Sequence, residues 1–206
     1  MIIGIDIDDT LTYLHDTRIE TAERYILQNK LPYKLVKTDT HLFSEMFDWP
    51  VDECDKFWFK EADRMLSKVK AREFASETIN NLIASGNKII IITARTSEWH
   101  KDPYQLSYDW LKKNNIPFDK LMVGHLDKTQ VCVEEKIDIF IDDMPNTLVK
   151  LQNIGIKTIM MNNPHNNSQH IYSGKIVNNW QEIESFLIKN KNIKLNCIHK
   201  DNLDKK

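Results

Sequence analysis

Five short apolar runs, unbroken by polar alternation, set the strongest limit on what this chain can fold into. They are 2–7 (IIGIDI), 88–93 (KIIIIT), 120–123 (KLMV), 137–142 (IDIFID) and 156–161 (IKTIMM). A strand that is apolar on both faces has to be covered on both, as in a parallel sheet flanked by helices. Helical segments separate the runs. Ser76 is placed to cap a helix that continues to about Ser85 and stops at Gly86. Asp102 followed by Pro103 marks another start, with Tyr104, Ser107, Trp110 and Leu111 continuing on a helical period. Residues 129–135 and 145–153 supply two further crossover helices. Strand and helix in alternation specify an α/β fold with a doubly wound, Rossmann-like parallel sheet.

One stretch interrupts the alternation. Residues 13–75 hold no strand-like run and read as helices. Thr17 and Glu20 form a capping box preceded by Asp16, and Cys54, Trp58, Ala62, Met65 and Val69 form an apolar stripe at helical spacing. A 206-residue chain can bury one core and a modest insertion. The expected division is therefore a core of 1–12 and 76–188, a small helical cap at 13–75 and a polar tail at 189–206. The tail is rich in Lys and Asn and has little to bury.

Charge and composition narrow the function. A net charge of −2 argues mildly against a long nucleic acid, which needs a basic track. The longest apolar run, IIII at 89–92, is far too short to cross a bilayer. The chain opens directly on an apolar strand with no basic stretch or cleavage site, so the cytoplasm is the expected address. Cys54, Cys132 and Cys197 lack CxxC spacing and read as reduced thiols. The seven histidines show no HxH or HExxH spacing, and His165 and His170 in a polar loop give no zinc signature.

The chemistry gathers at strand ends, where open α/β sheets bind ligands. The first strand runs into Asp6-Ile7-Asp8-Asp9-Thr10, the second into Thr93-Ala94-Arg95 and the fourth into Asp142-Asp143, while Lys128 precedes the fourth. Taken singly, each group is ordinary turn, capping or surface chemistry; together they converge on one sheet edge. If the chain is still extended there, Asp6 and Asp8 point the same way and share a site.

This order, D-x-D-x-T, then Thr, then Lys, then D-D, resembles the haloacid dehalogenase superfamily. The resemblance implies that Asp6 attacks phosphorus and that Asp8 protonates the departing oxygen and then activates water. It implies Mg²⁺ held by Asp6, Asp142 and the backbone carbonyl of Asp8, with Asp143 close by. Thr93, the Ala94 amide and Lys128 would hold the phosphate. Two positions depart from common variants: Asp9 stands where many relatives have Gly, and Asn146 where a spaced last motif would carry a second acid.

The cap's position resembles the superfamily's first cap type, which selects small molecules. Its length, the TAR at 93–95 and the segment YDWLKKNNIPFDKLMVG are similar to the 5′(3′)-deoxyribonucleotidase family and its bacterial relatives. The expected function is thus a Mg²⁺-dependent phosphomonoester hydrolase that works through an aspartyl-phosphate on a small molecule, a nucleotide first among them. Among the cap aromatics Phe43, Phe47, Trp49, Phe57, Trp58 and Phe59, the stripe puts Trp58 in the cap core. Phe57 and Phe59 then flank it as candidates for substrate contact, together with Arg95. The alternatives are another phosphometabolite or sugar phosphate as substrate, a phosphotransferase, or a receiver-like module that stores the phosphoryl group. The last is disfavoured because Val123-Gly124-His125 follows the third strand without an acid. Self-association is left open.

Overall fold

The computed structural model describes residues 1–166 and 171–188. One sheet contains β1 (Ile2–Ile5), β2 (Lys88–Ile92), β3 (Lys120–Met122), β4 (Ile139–Asp142), β5 (Lys157–Met161) and β6 (Lys175–Val177). The spatial order is β3-β2-β1-β4-β5-β6 and every neighbouring pair is parallel. The five apolar runs become β1–β5. The sixth strand was not foreseen, because two of its three residues are exposed and an edge strand with one buried side chain leaves no apolar run. The expected 189–206 tail and Cys197 lie outside the described residues.

Seven helices connect these strands: α1 (Leu14–Asn29), α2 (Phe43–Phe47), α3 (Val51–Lys68), α4 (Ala75–Ala84), α5 (Pro103–Lys113), α6 (Thr129–Glu134) and α7 (Pro145–Asn153). Residues 180–188 are helical too. Strand side chains alternate between two buried layers. Ile3, Ile5, Ile89, Ile91, Ile139 and Ile141 meet Ile79 and Leu82 of α4, Trp110 and Leu111 of α5, and Trp180. Ile90, Ile92, Phe140 and Met160 meet Val131 of α6 and Leu148 and Leu151 of α7. Burial on both faces explains why the runs do not alternate.

Two helix starts differ from expectation. α1 begins at Leu14, three residues before the expected box, and the Thr17 hydroxyl donates back to the Tyr13 carbonyl instead of capping. α4 is preceded by Phe74 in a left-handed conformation, while the Ser76 hydroxyl reaches the Asn115 carbonyl. Asp102 does cap α5, accepting from the Gln105 amide at 2.9 Å.

The chain leaves the sheet layer and returns at a single antiparallel bridge, Thr12 with Ala71. Tyr13 N donates to Lys70 O and Arg72 N to Leu11 O at this neck. Beyond it, Ala22, Tyr25, Phe43, Met46, Phe47, Trp49, Cys54 and Phe57 form a separate apolar cluster. The expected stripe on α3 therefore serves two cores: Cys54 belongs to this cluster, Met65 and Val69 to the sheet cluster, and Trp58 packs against both. Among the described residues, no helix is long and apolar enough to cross a membrane.

Gly4 sets the spacing at the centre of the sheet. A Cβ there would lie 2.4 Å from Cδ2 of Phe140, the ring over which the Lys128 ammonium sits at 5.3 Å. Gly4→Ala is therefore expected to cost about 1–3 kcal/mol through overpacking. A denaturant midpoint lowered at constant slope would show it; an unchanged midpoint would mean that the ring moves aside freely.

Candidate active site

The strand order reverses between β1 and β4, so the crevice at their carboxyl ends is open for side chains. Asp6 N donates to Ile141 O at 3.0 Å, which sets Asp6 beside Asp142. Both carboxylates are buried, and Lys128, also buried, joins them: its Nζ donates to Asp6 Oδ1 at 2.6 Å and to Asp142 Oδ2 at 2.7 Å. Asp142 Oδ1 accepts from the Met144 amide at 2.9 Å. Burial pushes the Asp6 carboxyl well above the usual carboxylate range, with Lys128 opposing that shift. Burial also works against the Lys128 ammonium, but the charges of Asp142 and Asp6 outweigh it and raise its pKa.

Asp8 is half-buried and meets a different cation. Arg95 Nε donates to Asp8 Oδ2 at 2.9 Å and a second guanidinium nitrogen to Oδ1 at 2.7 Å. Burial raises the Asp8 pKa, yet the Arg95 charge and hydrogen bonds prevail and hold it below the usual range. Two carboxylates two residues apart are thus driven in opposite directions by their surroundings.

Asp9 has φ of 56°, the left-handed region that glycine adopts without cost. That accounts for glycine at this place in many of the proteins the motif resembles. Here the aspartate uses its side chain to tie α1 to the motif: Oδ1 accepts from His15 N at 2.6 Å and Oδ2 from Arg18 at 2.8 Å. Asp143 is held by His165 Nε2 at 2.7 Å, and its backbone carbonyl accepts from Asn166 Nδ2 at 2.8 Å. Burial and the charges of Asp142 and Asp9 raise the Asp143 pKa.

Asp6, Asp8, Thr93, Ala94, Lys128, Asp142 and Asp143 line one cleft of about 350 Å³, a volume within the range of small-molecule sites. Three expected residues stand elsewhere. Arg95 is buried behind Asp8, with its guanidinium taken up by that carboxylate and by Ser107. Phe57 is fully buried among Tyr25, Phe43 and Trp49, because it shares an inward face of α3 with Cys54 and Glu61. Phe59, two residues and about 200° further round the helix, is exposed and packs on Trp99. Neither phenylalanine lines the cleft.

The cleft is lined by Arg18, His41 and His165 as well. These residues carried no signal in the sequence. Arg18 is a charged residue on the buried face of α1, and His165 meets Asp143 across 22 positions through a loop with no recognisable motif. His170 lies outside the described residues. Cys54 and Cys132 are buried thiols.

Two groups of side chains have donor atoms within 4.8 Å of one another: Asp6, Asp142 and Asp143, and separately Asp9, Asp143 and His165. In the second group the Asp9 carboxylate is already engaged by Arg18 and the His15 amide, and Asp143 by His165. The first is an all-oxygen set of the kind that hard divalent cations prefer. The charge balance favours a cation as well. Asp6, Asp8, Asp9, Asp142 and Asp143 outnumber Arg18, Lys128 and the flanking Arg95, so the crevice would otherwise repel a phosphate dianion.

A family model described as 5′ nucleotidase, deoxy (Pyrimidine), cytosolic type C protein matches residues 1–193. The chain belongs to this family. Among curated relatives, Putative nucleotidase YqfW of Bacillus subtilis is 28% identical over 92% of this chain and 94% of its own length. Nucleotidase CA_C3379 of Clostridium acetobutylicum is 25% identical over 88% and 90%. A solved haloacid dehalogenase-type hydrolase, YfnB of B. subtilis bound to magnesium, superposes with a TM-score of 0.60 at 16% identity, covering 90% of this chain and 97% of that one. The nucleotidase family and the haloacid dehalogenase-type fold place the chain among phosphomonoester hydrolases.

Lys128→Met would leave two buried carboxylates without their ammonium, a loss expected to cost about 3–5 kcal/mol at neutral pH. The folded Asp6 pKa is already raised by burial, so carboxylate ionisation opposes folding of the variant above the unfolded-state carboxylate pKa. The deficit should shrink as the solution is made mildly acidic. Denaturant titration at both pH values checks this, and a deficit that grows on acidification contradicts the ion-pair account.

Proposed function

We propose that this member of the family is a Mg²⁺-dependent nucleotidase that releases phosphate from (deoxy)nucleoside monophosphates through an aspartyl-phosphate on Asp6. The observation that carries the reading is the junction of β1 and β4, where Asp6 and Asp142 share the Lys128 ammonium beside Asp143. The nucleotide part rests on the family match.

Each residue has a role that its surroundings support. Lys128 fixes one oxygen of Asp6, holding the carboxylate in the crevice as nucleophile. Thr93 and the Ala94 amide, at the end of β2 and in the cleft, hold phosphoryl oxygens. Asp8, two residues beyond the nucleophile and in the same cleft, gives a proton to the departing oxygen and takes one from the hydrolytic water. The oxygen set of Asp6, Asp142 and Asp143, joined by the Asp8 carbonyl, suits Mg²⁺, which would offset negative charge on the phosphoryl oxygens. The cleft volume suits a small phosphate ester.

A second substrate reading has one observation in its favour. No Phe, Tyr or Trp among the described residues lines the cleft, whose lining includes Arg18 and His41. Such a lining suits a hydroxyl-rich leaving group, such as a sugar phosphate, at least as well as a stacked base.

Phosphate release from a panel of nucleoside monophosphates and sugar phosphates, with Mg²⁺ and with excess chelator, tests the proposal. Release from several nucleotides is expected, lost with chelator and lowered about a thousandfold or more in Asp6→Asn. Release from sugar phosphates alone would replace the substrate and keep the chemistry. Near wild-type turnover by Asp6→Asn would remove Asp6 as nucleophile.

A further inference from the structure

The contact that the proposed mechanism leaves unexplained is the one between Arg95 and Asp8. Arg95 is almost completely buried and does not line the cleft. Its guanidinium meets both oxygens of Asp8 in a bidentate pair and spends a third donor on Ser107 Oγ at 3.3 Å. Ser107, fully buried on α5, donates in turn to the Pro103 carbonyl at 2.7 Å. The plane of the Asp8 carboxylate is therefore fixed by a fork that is itself anchored to a helix, and Asp8 is among the residues that line the cleft. A flat, two-point pairing sets orientation in a way that a single ammonium cannot.

The two halves of the reaction make different demands on that orientation. In the first, an Asp6 oxygen bonds to phosphorus as the bond from phosphorus to the leaving oxygen breaks. That oxygen keeps the electron pair and takes the proton from Asp8. Its position is already set by the phosphorus to which it is attached. In the second, a water oxygen bonds to phosphorus, its proton passes to Asp8, and the bond between phosphorus and Asp6 breaks with its electron pair returning to Asp6. A water molecule brings no binding contacts of its own, so the base that holds it sets its approach.

We infer that Arg95 is a positioning residue for the hydrolytic half of the reaction: it orients Asp8 to aim water at the phosphorylated Asp6, and it contributes little to phosphoryl capture. The inference rests on the proposed roles of Asp6 and Asp8 and extends them to a residue outside the cleft. Its kinetic signature is specific. With hydrolysis slowed, kcat falls while kcat/KM, which reports the steps up to loss of the leaving group, holds steady and KM falls with kcat.

The test compares wild type, Arg95→Met, Arg95→Lys and Ser107→Ala with p-nitrophenyl phosphate, in steady state and after acid quench with a count of protein-bound phosphate. Arg95→Met should lose about tenfold to a hundredfold in kcat, keep its kcat/KM and accumulate phosphoenzyme during turnover. Arg95→Lys, with charge but no fork, should fall between. Ser107→Ala, which removes only the buttress, should shift in the same direction by less, and it serves if Arg95→Met fails to fold. Equal losses in kcat and kcat/KM without accumulated phosphoenzyme would overturn the inference, as would unchanged kinetics in all three variants. Wild-type turnover that survives Asp6→Asn and never shows protein-bound phosphate would instead remove the reading on which the inference stands.

Discussion

The structure turns on one buried ammonium. Two carboxylates, Asp6 and Asp142, leave adjacent strands at the same level, both buried, and would repel each other. Lys128 makes the arrangement tolerable by donating to both at 2.6 and 2.7 Å. The sheet supplies the geometry, since the reversal of strand order between β1 and β4 opens the crevice at that point. Lys128 itself is placed by the turn into α6, and the ring of Phe140 lies beneath its ammonium. That ring can sit there because residue 4 has no side chain. A glycine in the middle of a strand is thereby linked to the electrostatics of the site.

Around this centre the other acids are held in separate ways. Arg95 draws Asp8 toward the ionised form, His165 holds one oxygen of Asp143, and Arg18 with the His15 amide engages Asp9. Asp8 and Asp143 are thereby driven in opposite directions, Asp8 down by the Arg95 guanidinium and Asp143 up by burial and the neighbouring carboxylates. The Asp9 contacts also tie α1 to the turn that follows β1. Together with the bridge between Thr12 and Ala71, they fix where the chain leaves the sheet layer and returns.

Much of this was legible in the sequence because strand ends in a doubly wound sheet converge by topology alone. Once the five apolar runs are placed as parallel strands, Asp6, Asp8, Thr93, Lys128 and Asp142 have to meet, and they line one cleft. What escaped was decided by side-chain direction and by long-range pairing. The edge strand Lys175–Val177 buries one residue and leaves no pattern. The start of α1 is set by Asp9 and the neck, three residues before the best local capping sequence. Phe57 faces inward since α3 builds its own core, and Arg95 points back at Asp8. His165 finds Asp143 only through the folded loop. Periodicity shows which face of a helix is apolar but does not say which of two clusters that face will join, as Trp58 between both demonstrates.

The most direct measurement is the site of covalent phosphorylation during turnover. The protein would be acid-quenched while hydrolysing a nucleoside monophosphate with Mg²⁺ and its peptides analysed by mass spectrometry, with Asp8→Asn used to lengthen the life of the intermediate. The account predicts one phosphoryl group on the N-terminal peptide, located at Asp6. Turnover with that peptide unmodified throughout, or a phosphoryl group located on any other residue, would contradict it.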